Sequence, residues 1–132
     1  FGEEPERYAQ RENIAGNQLA KSPEFTSNFG IKYDGETKSG IPLRSTLEIV
    51  HRGDFQQRVF NNPFVDTVDS YTIVNLTTSL EINEDTGVDF MILNAADEDG
   101  VNSAMTDVFG VAGTGIELIP PRQLIFRIRK NY

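Results

Sequence analysis

The stretch Arg122-Gln-Leu-Ile-Phe-Arg-Ile-Arg-Lys-Asn-Tyr132 leaves little choice of conformation. Counted back from Tyr132 in steps of two, Lys130, Ile128, Phe126 and Leu124 fall on one side; Asn131, Arg129, Arg127, Ile125 and Gln123 fall on the other. A period of two belongs to a strand, here with a mostly apolar face opposed by one that carries two arginines. Pro120-Pro121 has no N–H to give a ladder, so the strand is predicted to begin near Arg122.

The same period recurs upstream. Phe25–Tyr33 sets Phe25, Ser27, Phe29, Ile31 and Tyr33 against Thr26, Asn28, Gly30 and Lys32. Ile41–Arg52 sets Ile41, Leu43, Ser45, Leu47, Ile49 and His51 against Arg44, Thr46, Glu48 and Arg52. Tyr71–Ile82 sets Val74, Leu76, Thr78, Leu80 and Ile82 against Ile73, Asn75, Thr77, Ser79 and Glu81. Val88–Asn94 places Val88, Phe90 and Ile92 on one side, while Met91 and Leu93 make the other apolar too. Asp34-Gly35 through Ser39-Gly40 and Asn83–Gly87 carry turn chemistry. Residues 53–69 and 95–121 read as long loops, and residues 1–22 as a polar connector. The expectation is an all-β, antiparallel up-and-down meander of five or so strands.

Composition removes several classes. A chain of 132 residues with 38% hydrophobic residues has no apolar run long enough for a spanning helix. A net charge of -8 opposes nucleic-acid binding, which calls for a basic stripe. With no cysteine there is neither a disulfide scaffold nor a thiolate metal site. The first residue is Phe1 and no signal-peptide pattern follows, so the chain is expected to start partway through a longer product or after a cleavage.

Connections alternate short, long, short, long, as in a transmembrane barrel with brief periplasmic turns and extended outer loops. Each strand also has about the ten residues that cross a hydrocarbon layer when tilted. On this reading the apolar faces touch lipid, and Arg44, Glu48, Arg52, Arg127 and Arg129 point into the lumen. Tyr33 shares a membrane level with Tyr132 in an aromatic belt, and Lys130 interrupts the apolar face where a lysine can snorkel.

Several motifs resemble the C-terminal barrel segment of TonB-dependent outer-membrane receptors, the plugged transporters. Ser22-Pro-Glu-Phe-Thr26, with Asn28 and Tyr33 following, is similar to the family's strand that leaves an extracellular loop. Tyr71-Thr-Ile-Val-Asn75-Leu76 resembles its next descending strand. Asn94-Ala-Ala-Asp-Glu98 sits where Asn-Leu-Phe-Asp is usual. Pro121-Arg122 opens the last strand, and Leu124, Phe126, Ile128 and Tyr132 would form its barrel-closing face. The resemblance covers roughly residues 20–132 and lies in order and spacing; Ala95, Ala96 and Lys130 depart from it.

The resemblance implies the C-terminal part of a barrel domain, with residues 1–22 an extracellular loop and 23–132 strands and loops. The plug and most of the wall, in a family of about 22 strands, would lie outside this chain. It further implies active uptake of a scarce nutrient, of siderophore, cobalamin or oligosaccharide class, across the outer membrane of a Gram-negative bacterium. Its partners would be the remaining barrel and plug, outer-membrane lipid, a small-molecule substrate and an inner-membrane energising complex acting through the plug. Nucleic acid, cofactors and enzymatic chemistry are not expected.

Chemical motifs are sparse. Registered on Gly100, Asp97-Glu-Asp-Gly100 puts Ala95 and Thr106 at the first and twelfth positions of a calcium loop, which excludes an EF-hand and leaves a looser acidic ion site open. Gly110-Val-Ala-Gly-Thr-Gly115 has no following Lys-Ser/Thr and is no phosphate cradle. His51 is the single histidine, so neither a zinc site of the usual kind nor a His-based triad can be assembled within the chain unless a partner contributes. Glu84 and Asp85 lie in a turn, where solvation explains them. The loop Asp54–Phe64 is the best candidate for substrate contact: Phe55, Phe60 and Phe64 offer apolar and stacking surface, and Gln56, Gln57, Arg58, Asn61 and Asn62 offer hydrogen bonds, with Phe55, Gln57, Arg58, Phe60 and Asn62 the leading candidates. The alternative role for these aromatics is in the outer aromatic girdle or in packing loop on loop. The alternative for the whole chain is a small secreted β-sandwich acting as a carbohydrate-binding or adhesion module, with Leu43, Leu47, Ile49, Leu76, Leu80, Phe126 and Ile128 in a closed core.

Overall fold

The computed structural model describes residues 13–64, 66–106 and 114–131. Its strands are β1 (Thr26–Glu36), β2 (Pro42–Arg52), β3 (Phe55–Gln56), β4 (Thr67–Val68), β5 (Tyr71–Asn83), β6 (Thr86–Leu93), β7 (Val101–Thr106), β8 (Thr114–Leu118) and β9 (Gln123–Lys130). Five of them form an antiparallel meander in the order β1-β2-β5-β6-β9, open and not closed into a barrel. The remaining four pair as two small hairpins, β3-β4 and β7-β8. Tyr132, residues 1–12 of the leading connector and residues 110–113 of the glycine-rich stretch lie outside the described residues.

Register gives the meander its two characters. Ile31, Leu47, Leu76, Ile92 and Leu124 pair in one row across all five strands. Tyr33, Ser45, Thr78, Phe90 and Phe126 form the next, followed by Gly35, Leu43, Leu80, Val88 and Ile128. Phe29, Ile49 and Val74 extend the band on the other side. Directly paired residues share a face, so these rows make one continuous apolar surface. It is bounded by Ser27, His51 and Thr72 at one margin and by Thr86 and Lys130 at the other. Its two central hydroxyls satisfy each other, with Ser45 Oγ 3.1 Å from Thr78 Oγ1.

No second layer of described strands covers this surface. Phe29 is 59% exposed and Phe126 66%. A closed core of Leu43, Leu47, Ile49, Leu76, Leu80, Phe126 and Ile128, as a sandwich requires, is therefore not formed among the described residues. The outer edges of β1 and β9 likewise carry no ladder here.

Several boundaries differ from the sequence reading. Asp34 and Gly35 belong to β1, paired with Arg44 and Leu43, and not to the turn. The turn itself is Thr37–Gly40, where Gly40 alone adopts positive φ (76°) and the Thr37 N–H donates to the Ile41 carbonyl at 2.8 Å. Between β5 and β6 only Glu84 and Asp85 turn, with the Asp85 N–H donating to Asn83 Oδ1 at 3.0 Å. The two long loops are not structureless, since each contains a hairpin.

Both hairpins lie at the same end of the sheet and pack together as a cap. Phe55, Val68 and Ala104 form its buried core, with Val101 against them. The parallel bridge from Ala20 to Gln56 brings the leading segment alongside. Gly100 sits so close to Tyr71 that an added Cβ would lie 2.8 Å from its Cγ and 3.0 Å from Ile119 Cδ1. Gly100→Ala should therefore loosen the cap by about 1–3 kcal/mol. The check is faster amide exchange at Ile119, whose N–H donates to the Gly100 carbonyl at 2.9 Å.

Candidate functional site

The five residues assigned to the polar side do share one face. Asp34, Arg44, Ser79, Asp89 and Arg127 occupy a single row across the sheet. Arg44 Nε donates to Asp34 Oδ1 at 2.7 Å. Asp89 accepts from Ser79 and from Arg129, whose Nε lies 3.0 Å from Asp89 Oδ2. Arg129 Nη2 also reaches Glu81 Oε1 at 2.8 Å, joining β9 to β5 over the intervening β6. The strand it crosses offers Gly87 at that point, where a Cβ would stand 2.6 Å from Arg129 Nη2 and 2.9 Å from Glu81 Oε2. Exposed ion pairs of this kind add little stability individually. Their contribution here is alignment.

A second set of contacts runs along β1, β2 and β5 into the cap. Asn28 Nδ2 donates to Glu48 Oε1 at 3.1 Å, and Asn75 Nδ2 to Glu48 Oε2 at 3.2 Å. Asn75 Oδ1 accepts the Asn94 N–H at 3.0 Å. Asn94 is buried with positive φ (49°), and its Nδ2 donates to the carbonyls of Glu98 and Pro120 at 3.0 and 3.1 Å. Its Oδ1 accepts the Glu98 N–H at 2.9 Å. Beside it, Asp97 Oδ1 accepts the Arg122 N–H at 2.9 Å, and Arg122 Nη2 lies 3.2 Å from Asp97 Oδ2. Asn28, Asn75, Asn94, Asp97 and Arg122, drawn from four separate motifs of the sequence, are thus in two contiguous networks.

Arg52 leaves the strand face for the cap. Its guanidinium stands 4.2 Å over the Phe55 ring, and Nη1 donates to the Asn102 carbonyl at 3.1 Å. The loop candidates divide. Phe55, 1% exposed, and Gln57, whose Oε1 accepts the Ala104 N–H at 3.3 Å, hold the cap together. They give their surfaces to packing, the alternative role allowed for the aromatics. Arg58, Phe60 and Asn62 lie around the tip of the β3-β4 hairpin, organised by the fully buried Asp66. Asp66 accepts Arg58 Nε on Oδ1 and the Asn62 N–H at 2.8 Å on Oδ2, and Arg58 stands 5.7 Å from the Phe60 ring centroid. Between the hairpins lies a cleft of about 290 Å³, with Phe64, Asp69, Asp99 and Ile116 among its lining.

Among the described residues no group of three or more His, Asp or Glu side chains could hold a metal ion. Asp97, the first carboxylate of the acidic run, is engaged with Arg122. His51 Nδ1 lies 2.9 Å from Thr72 Oγ1 at the margin of the apolar band. No family model, curated protein or solved structure matches the chain.

Sequence reasoning passed over Asp34, Asp66, Glu81 and Asp89, the carboxylates that partner the arginines. Asp34 was assigned to a turn, and the partners of Arg129 are fixed only by register. For Asp66 a signal existed: an acidic residue a few positions from Arg58 across a tight Asn-Asn-Pro tip. The clasp generates a direct expectation. Asn94→Ala removes three side-chain hydrogen bonds and puts alanine in a left-handed conformation, so it should destabilise the cap by about 2–4 kcal/mol. Limited proteolysis should then cut within residues 95–121 sooner than in the parent.

Proposed function

We propose that this chain is a C-terminal section of a plugged outer-membrane barrel that takes up a scarce nutrient, of the kind seen in TonB-dependent receptors. The observation that carries the reading is the apolar surface across all five strands, edged in part by polar residues and backed by a face that carries the ion-paired residues beside Val50, Ile73, Met91 and Ile125. Monomeric proteins in water rarely expose apolar patches beyond a few hundred Å². In a bilayer such a band is the expected exterior. The length of β1 and β2 fits: 11 residues at ~3.3 Å each, tilted by about 45°, rise roughly 25 Å, the height of a barrel's apolar band.

The hydroxyl pair Ser45–Thr78 fits too, since in hydrocarbon a polar group needs an internal partner. Short turns at one end and hairpin-bearing loops at the other match the periplasmic and external ends of such a wall. The motifs that carry the family resemblance meet in space through Asn75–Asn94 and Asp97–Arg122. On this reading the remainder of the barrel continues from the β1 and β9 edges, because an open sheet edge is not viable in lipid. The polar face turns toward the plug, and substrate arrives on the cap. This section contributes binding and shape, with no bond chemistry of its own.

The test uses the full-length protein folded in bilayers. Leu47 lies in the middle strand rows of the apolar band, and Thr46 on the opposite face. Leu47→Arg should lower the unfolding free energy by roughly 2–4 kcal/mol near the bilayer midplane. Thr46→Arg should change it by no more than ~0.5 kcal/mol. Equal tolerance of the two arginines would remove the basis for a lipid-facing surface.

A further inference from the structure

We propose that the cleft between the two hairpins binds a small organic cation that carries a flat apolar ring. The proposal rests on the transporter reading for its place in uptake, and on the cleft itself for its chemistry. Three features meet there. The first is a floor of apolar side chains, Val68 and Ala104, both buried in the cap core. Apolar lining of this kind suits an apolar ligand surface.

The second is Phe64, 92% exposed on the rim of that cleft. A large exposed ring at a hairpin tip would ordinarily be left to move. Here the tip is wired: Asn62 Oδ1 accepts the Phe64 N–H at 3.0 Å, and the Asp66 N–H donates to the Asn62 carbonyl at 2.8 Å. The buried Asp66 carboxylate in turn fixes Asn62 and Arg58. A ring whose backbone is held in place before binding loses less freedom when a flat ligand stacks on it, which is how a preorganised platform gains affinity. Ile116 exposes a second apolar side chain to the same cleft.

The third feature selects the sign of charge. Asp69 and Asp99 contribute to the lining, and among the described residues neither has an ion-pair partner. The cleft thus offers acceptors and negative charge beside an aromatic face, in a chain whose net charge is -8. An amine or guanidinium attached to a ring satisfies all three features. A carboxylate-bearing ligand of the same shape would meet repulsion.

Tryptamine and tryptophol share an indole ring and differ in ending on an ammonium or a hydroxyl, which isolates the charge. Titrated calorimetrically into the full-length protein in neutral detergent at low salt, tryptamine should bind about tenfold more tightly. Added salt should narrow the gap, and the double substitution Asp69→Asn/Asp99→Asn should close it while leaving tryptophol binding in place. Phe64→Ala should weaken both ligands; all three positions are exposed, so these variants test contact more than folding. Equal affinities in the parent protein, or a gap that survives both carboxamides, would overturn the proposal. Because the measurement is made without a bilayer, its failure is distinct from failure of the arginine substitution that tests the wall.

Discussion

Cross-strand register is the constraint on which everything else in this molecule depends. Side chains alternate with a period of two, so a slip of one residue in any pairing would send that strand's apolar set to the charged side. Within the meander the pairings of β1 with β2, β2 with β5, and β6 with β9 run without a break, and its irregularity lies at the β5 end, between Glu81 and Asn83. The hydroxyls of Ser45 and Thr78 can meet because the β2–β5 pairing puts them side by side.

The cap depends on the same alignment. Asn75 is paired with Glu48 and also receives the Asn94 amide, so the path of the second long loop is set by a residue of the sheet. From there Asn94 turns the chain and holds both Glu98 and Pro120, which brings the two ends of a long excursion together. Arg122 is met by Asp97 as β9 begins. The loop can therefore extend into a hairpin without loosening the strands that bear it. Tyr71, Gly100 and Ile119 close the same junction by contact.

The five long strands and their two faces were legible because each presents several alternating positions, enough for the pattern to exceed chance. The polar residues Arg44, Glu48, Arg52, Arg127 and Arg129 followed from the same alternation. The hairpins were not legible. β3 and β4 have two residues each, too few to show any period, and β7, Val101-Asn-Ser-Ala-Met-Thr106, mixes its polar and apolar positions. Nor could the sequence tell that Phe55 is core while Phe64 is surface, since both are phenylalanines in one loop. That difference arises from where Val68 and Ala104 arrive, a matter of tertiary placement. The turn beginning at Asp34-Gly35 was misplaced for a related reason: turn-prone residues can sit in a strand when a partner such as Arg44 holds them there.

Alternation forbids odd displacements of a strand, yet a shift by two keeps every side chain on its proper side. Gly87 marks one place along β6 on the charged side. It is a notch in the charged surface into which the Arg129 guanidinium fits on its way to Glu81, and the next position of β6 on that face is Asp89, which has a side chain. Arg127 already stands across from Asp89, so the last strand carries one arginine over a filled site and the other over the notch. A methyl group at position 87 would stand in the path of that guanidinium, so the bridge from β9 to β5 over β6 runs where the lack of a side chain leaves it room.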